Sequence, residues 1–395
     1  MQNKMTNLPQ GWKVKTLSEI SEIVTGSTPS KSNLDFYGKD YPFFKPSDFE
    51  QGYFLENAGD NLSKLGFDKA RQLPPKTILV VCIGSLGKVA LTRVIGSCNQ
   101  QINAIIPHKN IISEYIYYYC ISSKFQSILF SKAPQTTLAI FNKTEFSKLE
   151  IIYPKDIKEQ ERIVRILDES FANIDESIKI LEQDLLNLDE LMQSALQKAF
   201  NPLKDNAKEN YKLPQGWEWK SLEEISENIS AGGDKPKNCT ESKTAKNQIP
   251  VYANGVNNNG LVGYTDKATI IKPSLTISAR GTIGFVCIRK EPYFPIVRLI
   301  SLIPCENILC LHYLYFCLNF FIAKGEGSSI PQLTIPKFKS LQIPLPPLKE
   351  QEQIAEHLDF VFEKAKALKE LYTKELKDYE ELKQSLLNKA FKGEL

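Results

Sequence analysis

The chain has 395 residues, 42% hydrophobic and 24% charged, with eight cysteines and a net charge of +3. That is the balance of a soluble globular protein with material for two cores, and a charge of +3 by itself says little about partners. Its most apolar run, ILCLHYLYFCLNFFIA from Ile308, is 16 residues long and contains a histidine, an asparagine and two tyrosines, which excludes a bilayer span.

In chain order the first signal is a repetition. LPQGW at Leu8–Trp12 returns as LPQGW at Leu213–Trp217, an offset of 205, and KVKTLSEISE is answered by EWKSLEEISE. GSLGKVA at Gly84 matches GTIGFVC at Gly281, and IIPHKNIISEYIYYYC matches LIPCENILCLHYLYFC, both at offset 197. FSKLEIIYP at Phe146 pairs with FKSLQIPLP at Phe338 at offset 192. KEQERIVRILDESF at Lys158 pairs with KEQEQIAEHLDFVF at Lys349 at offset 191, which holds to SALQKAF against SLLNKAF. The order never changes while the offset shrinks by 14, so the chain is a tandem duplication whose loops vary and whose terminal helices do not.

Each copy ends in a helix. In the first, Phe171, Ile174, Ile178, Leu181, Leu185, Leu188, Met192, Ala195 and Ala199 step by three and four, a heptad seam, with Pro202 just beyond. In the second the seam runs Leu358, Val361, Ala365, Leu368, Tyr372, Leu376, Tyr379, Leu382 and Leu386, with one slip near Leu376. About 43 residues give roughly 65 Å of helix. A stripe this narrow needs a helical partner, either the other copy, paired antiparallel about an approximate twofold, or a second chain. Residues 158–200 carry 5 basic and 10 acidic side chains and 349–395 carry 9 and 11, which leaves the globular parts at +10 and makes them candidates for a polyanion.

Catalytic signatures are missing. GSLGK at Gly84 has two residues between its glycines where a phosphate-binding loop has four, and lacks the following Ser or Thr; no G-x-G-x-x-G or Asn/Asp-Pro-Pro-aromatic motif occurs. Cys305, Cys310, His312 and Cys317 suggest a metal cluster. At offset 197, however, the first copy has His108, Ser113, Tyr115 and Cys120, and the run reads as a buried helix in which cysteine is a small apolar residue. Asp234, Glu241 and Lys243 only faintly resemble a nuclease triad, and Ser27 replaces Asp234 in the first copy. His108 in a loop and His357 on the second long helix have no visible catalytic partner. Cysteines without paired spacing fit free thiols in a reducing cytoplasm, and MQNKMTNLPQGWK has no signal-peptide core.

The informative segments are two long loops between predicted strands, Gly26–Phe49 and Gly232–Gly260, rich in glycine, proline, asparagine and lysine. Lys31, Lys39 and Lys45 in the first, and Lys235, Lys237, Lys243 and Lys246 in the second, suit phosphate contacts. Asn254, Asn257, Asn258 and Arg280 offer paired donors for base edges. At the level of regions Ser47, Lys88, Arg93, Lys132, Gln135 and Gln332 join them as DNA-binding candidates. Such loops are also common as solvated turns, but here they are where the two copies differ most.

Taken together, L-P-x-G-W with its following x-L-x-E-I, Gly26–Pro29 (GSTP), Tyr41–Asp48 (YPFFKPSD), Ile249–Tyr264 (IPVYANGVNNNGLVGY), the Gly84 and Gly281 turns, Ile343–Ala355 (IPLPPLKEQEQIA) and Lys389–Leu395 (KAFKGEL) resemble the specificity subunit of Type I restriction-modification systems. The resemblance implies α/β (α+β) target-recognition domains at residues 1–155 and 206–347, each followed by a long helix, 156–205 and 348–395, the helices forming an antiparallel coiled coil. It further implies a non-enzymatic, cytoplasmic chain that reads a bipartite site in double-stranded DNA, one half per domain, with the helices fixing the spacer. The partners implied are two modification (methyltransferase) subunits, carrying S-adenosylmethionine and methylating adenine, and restriction subunits using ATP; no cofactor, metal or membrane is implied for this chain. The first copy departs from the pattern with IIYPKDIKEQ, so its entry into the helix is open to a different bend. A coiled-coil scaffold and a stand-alone DNA-modifying enzyme are the alternatives.

Overall fold

The computed structural model describes residues 8–132, 140–200, 213–322, 325–326 and 333–395. It contains two compact units, one comprising residues up to Leu181 together with Lys374–Leu395, the other Glu182–Thr373. The first is discontinuous in sequence and the second is one continuous segment, but neither boundary falls between the two copies. Each holds one globular domain, the first part of the long helix that follows it, and the last part of the other copy's helix.

Both domains start alike for local reasons. After LPQGW the strand Trp12–Thr16 pairs antiparallel with Glu150–Pro154, and Glu218–Ser221 pairs with Gln342–Leu345. Each first strand runs into a one-turn helix closed by a capping box, in which the Thr16 amide donates to Glu19 Oε2 at 2.7 Å and the Ser221 amide to Glu224 Oε2 at 2.8 Å. Lys15 beside it, with the Thr16 donors, holds the Glu19 carboxyl down to about 2. In the first unit the main sheet has the order Ser21–Thr25, Ile102–Pro107, Ile78–Val81, Val89–Thr92, Phe54–Leu55; a second sheet places Tyr37–Phe44 between Asp60–Leu62 and Ser97–Cys98. The second unit repeats the plan with Ser226–Ala231, Ile300–Pro304, Ser274–Ile277 and Val286–Arg289, and with Ile249–Tyr252 between Leu261–Thr265 and Phe294–Pro295. ILVV at Ile78–Val81 is buried on both faces, as its unbroken apolar run requires.

The helices Ser113–Ile121 and Leu311–Phe321 cover these sheets. Tyr115 donates its hydroxyl to the Ile152 carbonyl at 2.9 Å and Tyr313 does the same to Pro344 at 2.7 Å. These two tyrosines are therefore equivalent at offset 198, one more than the 197 of the preceding strands, so the turn Cys305–Cys310 carries one extra residue relative to the first copy. Cys310 and His312 accordingly stand opposite Ile112 and Glu114, and Cys317 opposite Tyr119. His312 Nδ1 lies 2.6 Å from Asp359 Oδ2, and Cys317 is fully buried. Burial also pushes the Cys82 and Cys98 thiols up to about 12. Among the described residues no helix is long and apolar enough to cross a membrane.

The long helices, Ile157–Phe200 and Leu348–Ala390, are tied at both ends. At the start, the glutamine of the Lys-Glu-Gln motif is wholly buried in each copy. Gln160 accepts from the Ile112 amide at 2.9 Å and donates to Pro154 at 2.9 Å and Asn110 at 3.3 Å. Gln351 accepts from the Cys310 amide at 2.9 Å and donates to Pro346 at 2.8 Å and Ile308 at 2.9 Å. The entry sequences YPKD and LPPL thus deliver the chain to the same clamp. At the end, the phenylalanine of the Lys-Ala-Phe motif enters the core formed by the other copy's domain: Phe391 packs edge-on against Tyr115 and Tyr119, and Phe200 against Tyr313.

Between these anchors the helices run antiparallel. Lys383 bonds Asp175 at 2.6 Å in the first unit and Lys369 bonds Asp189 in the second, and the two residue numbers total 558 in each pair. Ile174, Leu181 and Leu188 are buried on the seam as expected, but Leu368 and Leu382 are not, at 38% and 45% exposed. Towards the end of the second helix Leu387 and Ala390 turn inward with Lys383, which is drawn between Asp175 and the Phe171 ring. A helix that must present Phe391 to a globular core leaves the strict heptad face.

Phe200→Ala or Phe391→Ala should each cost about 3–5 kcal/mol, read as a lowered midpoint of chemical denaturation of the intact chain. Gln160→Leu or Gln351→Leu should cost about 1–3 kcal/mol by orphaning a buried amide and carbonyls, and the two glutamine variants should behave alike.

Candidate nucleic-acid interface

In each unit neighbouring loops are drawn to one short turn at the end of the sheets. In the first unit it is Asn99–Gln101. The Asn99 amide donates to Phe44 at 3.1 Å, Gly26 and Ser27 donate to the carbonyls of Ile102 and Cys98 at 3.0 and 2.9 Å, and the Cys82 amide donates to Gln101 at 2.7 Å. Side chains finish the knot: Asn99 Nδ2 donates to Gln101 Oε1 at 2.8 Å, Gln101 Nε2 donates to the Ile83 carbonyl at 3.3 Å, and the Thr28 hydroxyl donates to Gln100 Oε1. In the second unit Ile296–Leu299 occupies this place. Ile296 donates to Tyr252 at 2.9 Å, Val297 and Arg298 donate to Gly233 and Gly232 at 2.8 Å, and Gly232 donates to Leu299 at 2.8 Å.

The glycines follow from this packing. A Cβ on Gly26 would lie 2.0 Å from the Asn99 carbonyl oxygen, and one on Gly232 would lie 2.5 Å from the Pro295 carbonyl carbon. The hairpins beside the knot turn through Gly84 and Gly87 (φ 83° and 89°) and through Gly281 and Gly284 (φ 70° and 81°), left-handed values that favour glycine. The duplicated Gly-x-x-Gly motif is therefore a turn and not a phosphate cradle.

The loops fixed in this way carry the candidates. Lys31, Lys39 and Ser47 are exposed in the first unit, and Lys235, Lys237, Asn257, Asn258 and Arg280 in the second. Several further cations have ion-pair or ring partners. Lys45 pairs with Asp60 and lies 5.8 Å above Phe43, Lys88 pairs with Glu50, and Arg93 bonds Glu56 at 2.9 Å while its guanidinium stands 3.7 Å over Phe54. Lys246 is 3.9 Å from Asp266, and Lys243 is 5.6 Å over Tyr264. Exposed pairs of this kind contribute little and exchange partners at small cost. Asn254 is committed inward: its Oδ1 accepts from the Ala279 amide at 2.8 Å and its Nδ2 donates to the Val297 carbonyl at 2.6 Å, tying two loops to the knot. Asp48 has the comparable task in the first unit, accepting from the Lys45 amide at 2.7 Å and the Gly59 amide at 3.0 Å. Lys132 ends the helix Ser123–Lys132, and Gln135 and Gln332 lie outside the described residues.

Asn99, Gln100 and Gln101 do not stand out in the sequence as an organising turn. Their only local signal is a run of three amides between a two-residue strand and the long strand Ile102–Pro107. Arg298 is likewise exposed at the second turn, where Val297 and Arg298 both adopt positive φ, 53° and 59°. Left-handed backbone at a β-branched residue is strained, and the bonds to Gly232, Gly233 and Asn254 hold it.

The family model described as "Type I restriction modification DNA specificity domain" matches residues 9–185 and 214–377. Among curated relatives, the Type I restriction enzyme HindI specificity subunit of Haemophilus influenzae is 37% identical over 176 residues, which are 43% of this chain and 38% of that protein. The Type I restriction enzyme MjaIX specificity subunit of Methanocaldococcus jannaschii is 24% identical over 90% of this chain and 88% of its own length. A chain solved in work on assembly and conformational transition of the type I R-M system superposes with a TM-score of 0.82 at 19% identity, covering 99% of this chain and all of that one. The HsdS subunit of Thermoanaerobacter tengcongensis gives 0.62 at 20% identity, with both chains covered in full. The two structures share the fold of two α/β domains each followed by a long helix. With the domain model matching both halves in order, the chain belongs to the Type I restriction modification DNA specificity domain family and carries that domain twice.

Proposed function

We propose that this chain is the non-catalytic DNA-recognition subunit of a Type I restriction-modification assembly. Each domain reads one half of a bipartite site in double-stranded DNA, and the paired helices set the unread spacer and dock two modification subunits. Methyl transfer from S-adenosylmethionine and ATP-driven restriction belong to the partners, in the cytoplasm. The observation that carries this reading is the pair of knots: one frame occurs twice in one chain, and the loops it holds differ in length, charge and amide content. A scaffold has no need of two different loop sets on equal frames; a reader of two different half-sites does. Lys31, Lys39, Lys235 and Lys237 meet phosphates, and the exposed amides face base edges. Half-sites read in the major groove from one side of the duplex lie near one helical turn apart, about 34 Å.

Replacing residues 213–347 by the corresponding domain of a family member with another target should change one half of the methylated motif and leave the other and the spacer unaltered, as mapped by genome-wide methylation sequencing. A swap that altered both halves in an intact complex contradicts independent reading. Lys31→Ala with Lys39→Ala should lower the slope of log affinity against log salt by about 2 without changing the motif. An unchanged slope in binding titrations removes these lysines from the phosphate contacts.

A further inference from the structure

We propose that Arg289 is the positioning residue of a base-reading turn, Asn257–Asn259, in the second domain. This rests on the reading of that domain as a DNA reader and adds the element that gives it base preference. Arg289 ends the strand Val286–Arg289 and is only 8% exposed. Its Nε donates to Thr276 Oγ1 at 3.0 Å, its Nη2 donates to the Asn259 carbonyl at 2.5 Å, and its guanidinium stands 3.6 Å over the Tyr252 ring. Among the described residues no carboxylate is paired with it. A buried guanidinium without a counter-ion is costly, and here its directed contacts are a ring, a hydroxyl and the carbonyl of the turn.

That turn joins Ile249–Tyr252 to Leu261–Thr265, and its backbone is held at every side. Asn258 and Asn259 are left-handed, at φ 48° and 52°, a conformation that asparagine tolerates better than most residues. Gly260 returns the chain so closely that a Cβ would lie 2.4 Å from the Ala253 carbonyl, while the Ala253 amide donates to Gly260 at 2.8 Å. Asn254 fixes the near side through Ala279 and Val297, and Arg289 fixes the far side through Asn259. The side chains of Asn257, Asn258 and Asn259 are all exposed, and none makes a hydrogen bond among the described residues. The backbone is committed and the amides are free. An amide offering a donor and an acceptor together matches the N6 and N7 edge of adenine in the major groove. The corresponding position of the first domain, at offset 197, is Thr92, which accepts from the Thr77 amide, so the device belongs to the second half-site alone.

The test uses the full chain assembled with its modification subunits and selection from a duplex library randomised across the wild-type site. Arg289→Met should relax preference at one or two neighbouring base pairs of a single half-site by about tenfold, leaving the other half-site unchanged. Arg289→Lys, which retains a cation over Tyr252 but not the two-pronged bridge, should fall between. The pair Asn257→Ala with Asn258→Gly, on exposed side chains that make no hydrogen bond among the described residues and with glycine accepting the left-handed φ at 258, should relax the same base pairs. Wild-type preference retained at every base pair in Arg289→Met overturns the proposal. Should Arg289→Met not fold, unchanged preference in the asparagine pair overturns it. A wild-type complex that selects no sequence removes the underlying reading of the domain, and is distinct from a failure at Arg289, in which the wild-type motif stands.

Discussion

Everything else in the molecule depends on where two phenylalanines are buried. Phe200 ends a helix of 44 residues and Phe391 directly follows one of 43, and each is received by the tyrosine-bearing helix of the other copy's domain. An aromatic ring buried in this way is among the larger single contributions to a core. Because neither helix has a stripe wide enough to stand alone, each relies on the other for the seam and for the ion pairs. The buried glutamines add direction: a side-chain amide satisfying one N–H and two carbonyls fixes the angle at which the chain leaves its domain, which hydrophobic contact alone does not do.

On this frame the knots divide labour between backbone and side chains. Backbone bonds, glycines at close approach and inward-facing Asp48 and Asn254 hold the loops, and none of these groups requires the loop tips to keep any given sequence. The tips are therefore free to change without disturbing the sheets beneath. Several cations at these edges, Lys45, Lys88 and Arg93 among them, are paired with exposed carboxylates, so the surface is less bare than its lysine content suggests.

Much of this was legible in the residues. The duplication, the two helices and most of their seam follow from offsets and from the three-four stepping of apolar residues, because these are local or repeated signals. The capping boxes are likewise written in four residues. Long-range geometry was not legible. Nothing near Gln160 announces that its amide meets Asn110 and Ile112, and the extra residue before Cys310 shows only when Tyr115 and Tyr313 are seen to make the same bond. Leu368 and Leu382 fit the heptad but are exposed, and near the end of the second helix Leu387 and Ala390 are the buried positions instead. For the interface, composition identified the loops. It did not separate Asn254, which is spent on the frame, from Asn257 and Asn258, which face outward, and it passed over Asn99–Gln101 because a turn organised from three sides has no local pattern.

The common total of 558 at the two interhelical ion pairs carries a consequence for how such a chain changes length. One residue inserted into a helix turns everything beyond it by about 100°, and two by about 200°, which would carry a terminal phenylalanine off its tyrosine and a lysine off its aspartate. Four residues leave a mismatch of only about 40°, and seven about 20°. Insertions and deletions in these helices are thereby sieved to near-whole turns, so the seam governs which lengths a descendant can inherit.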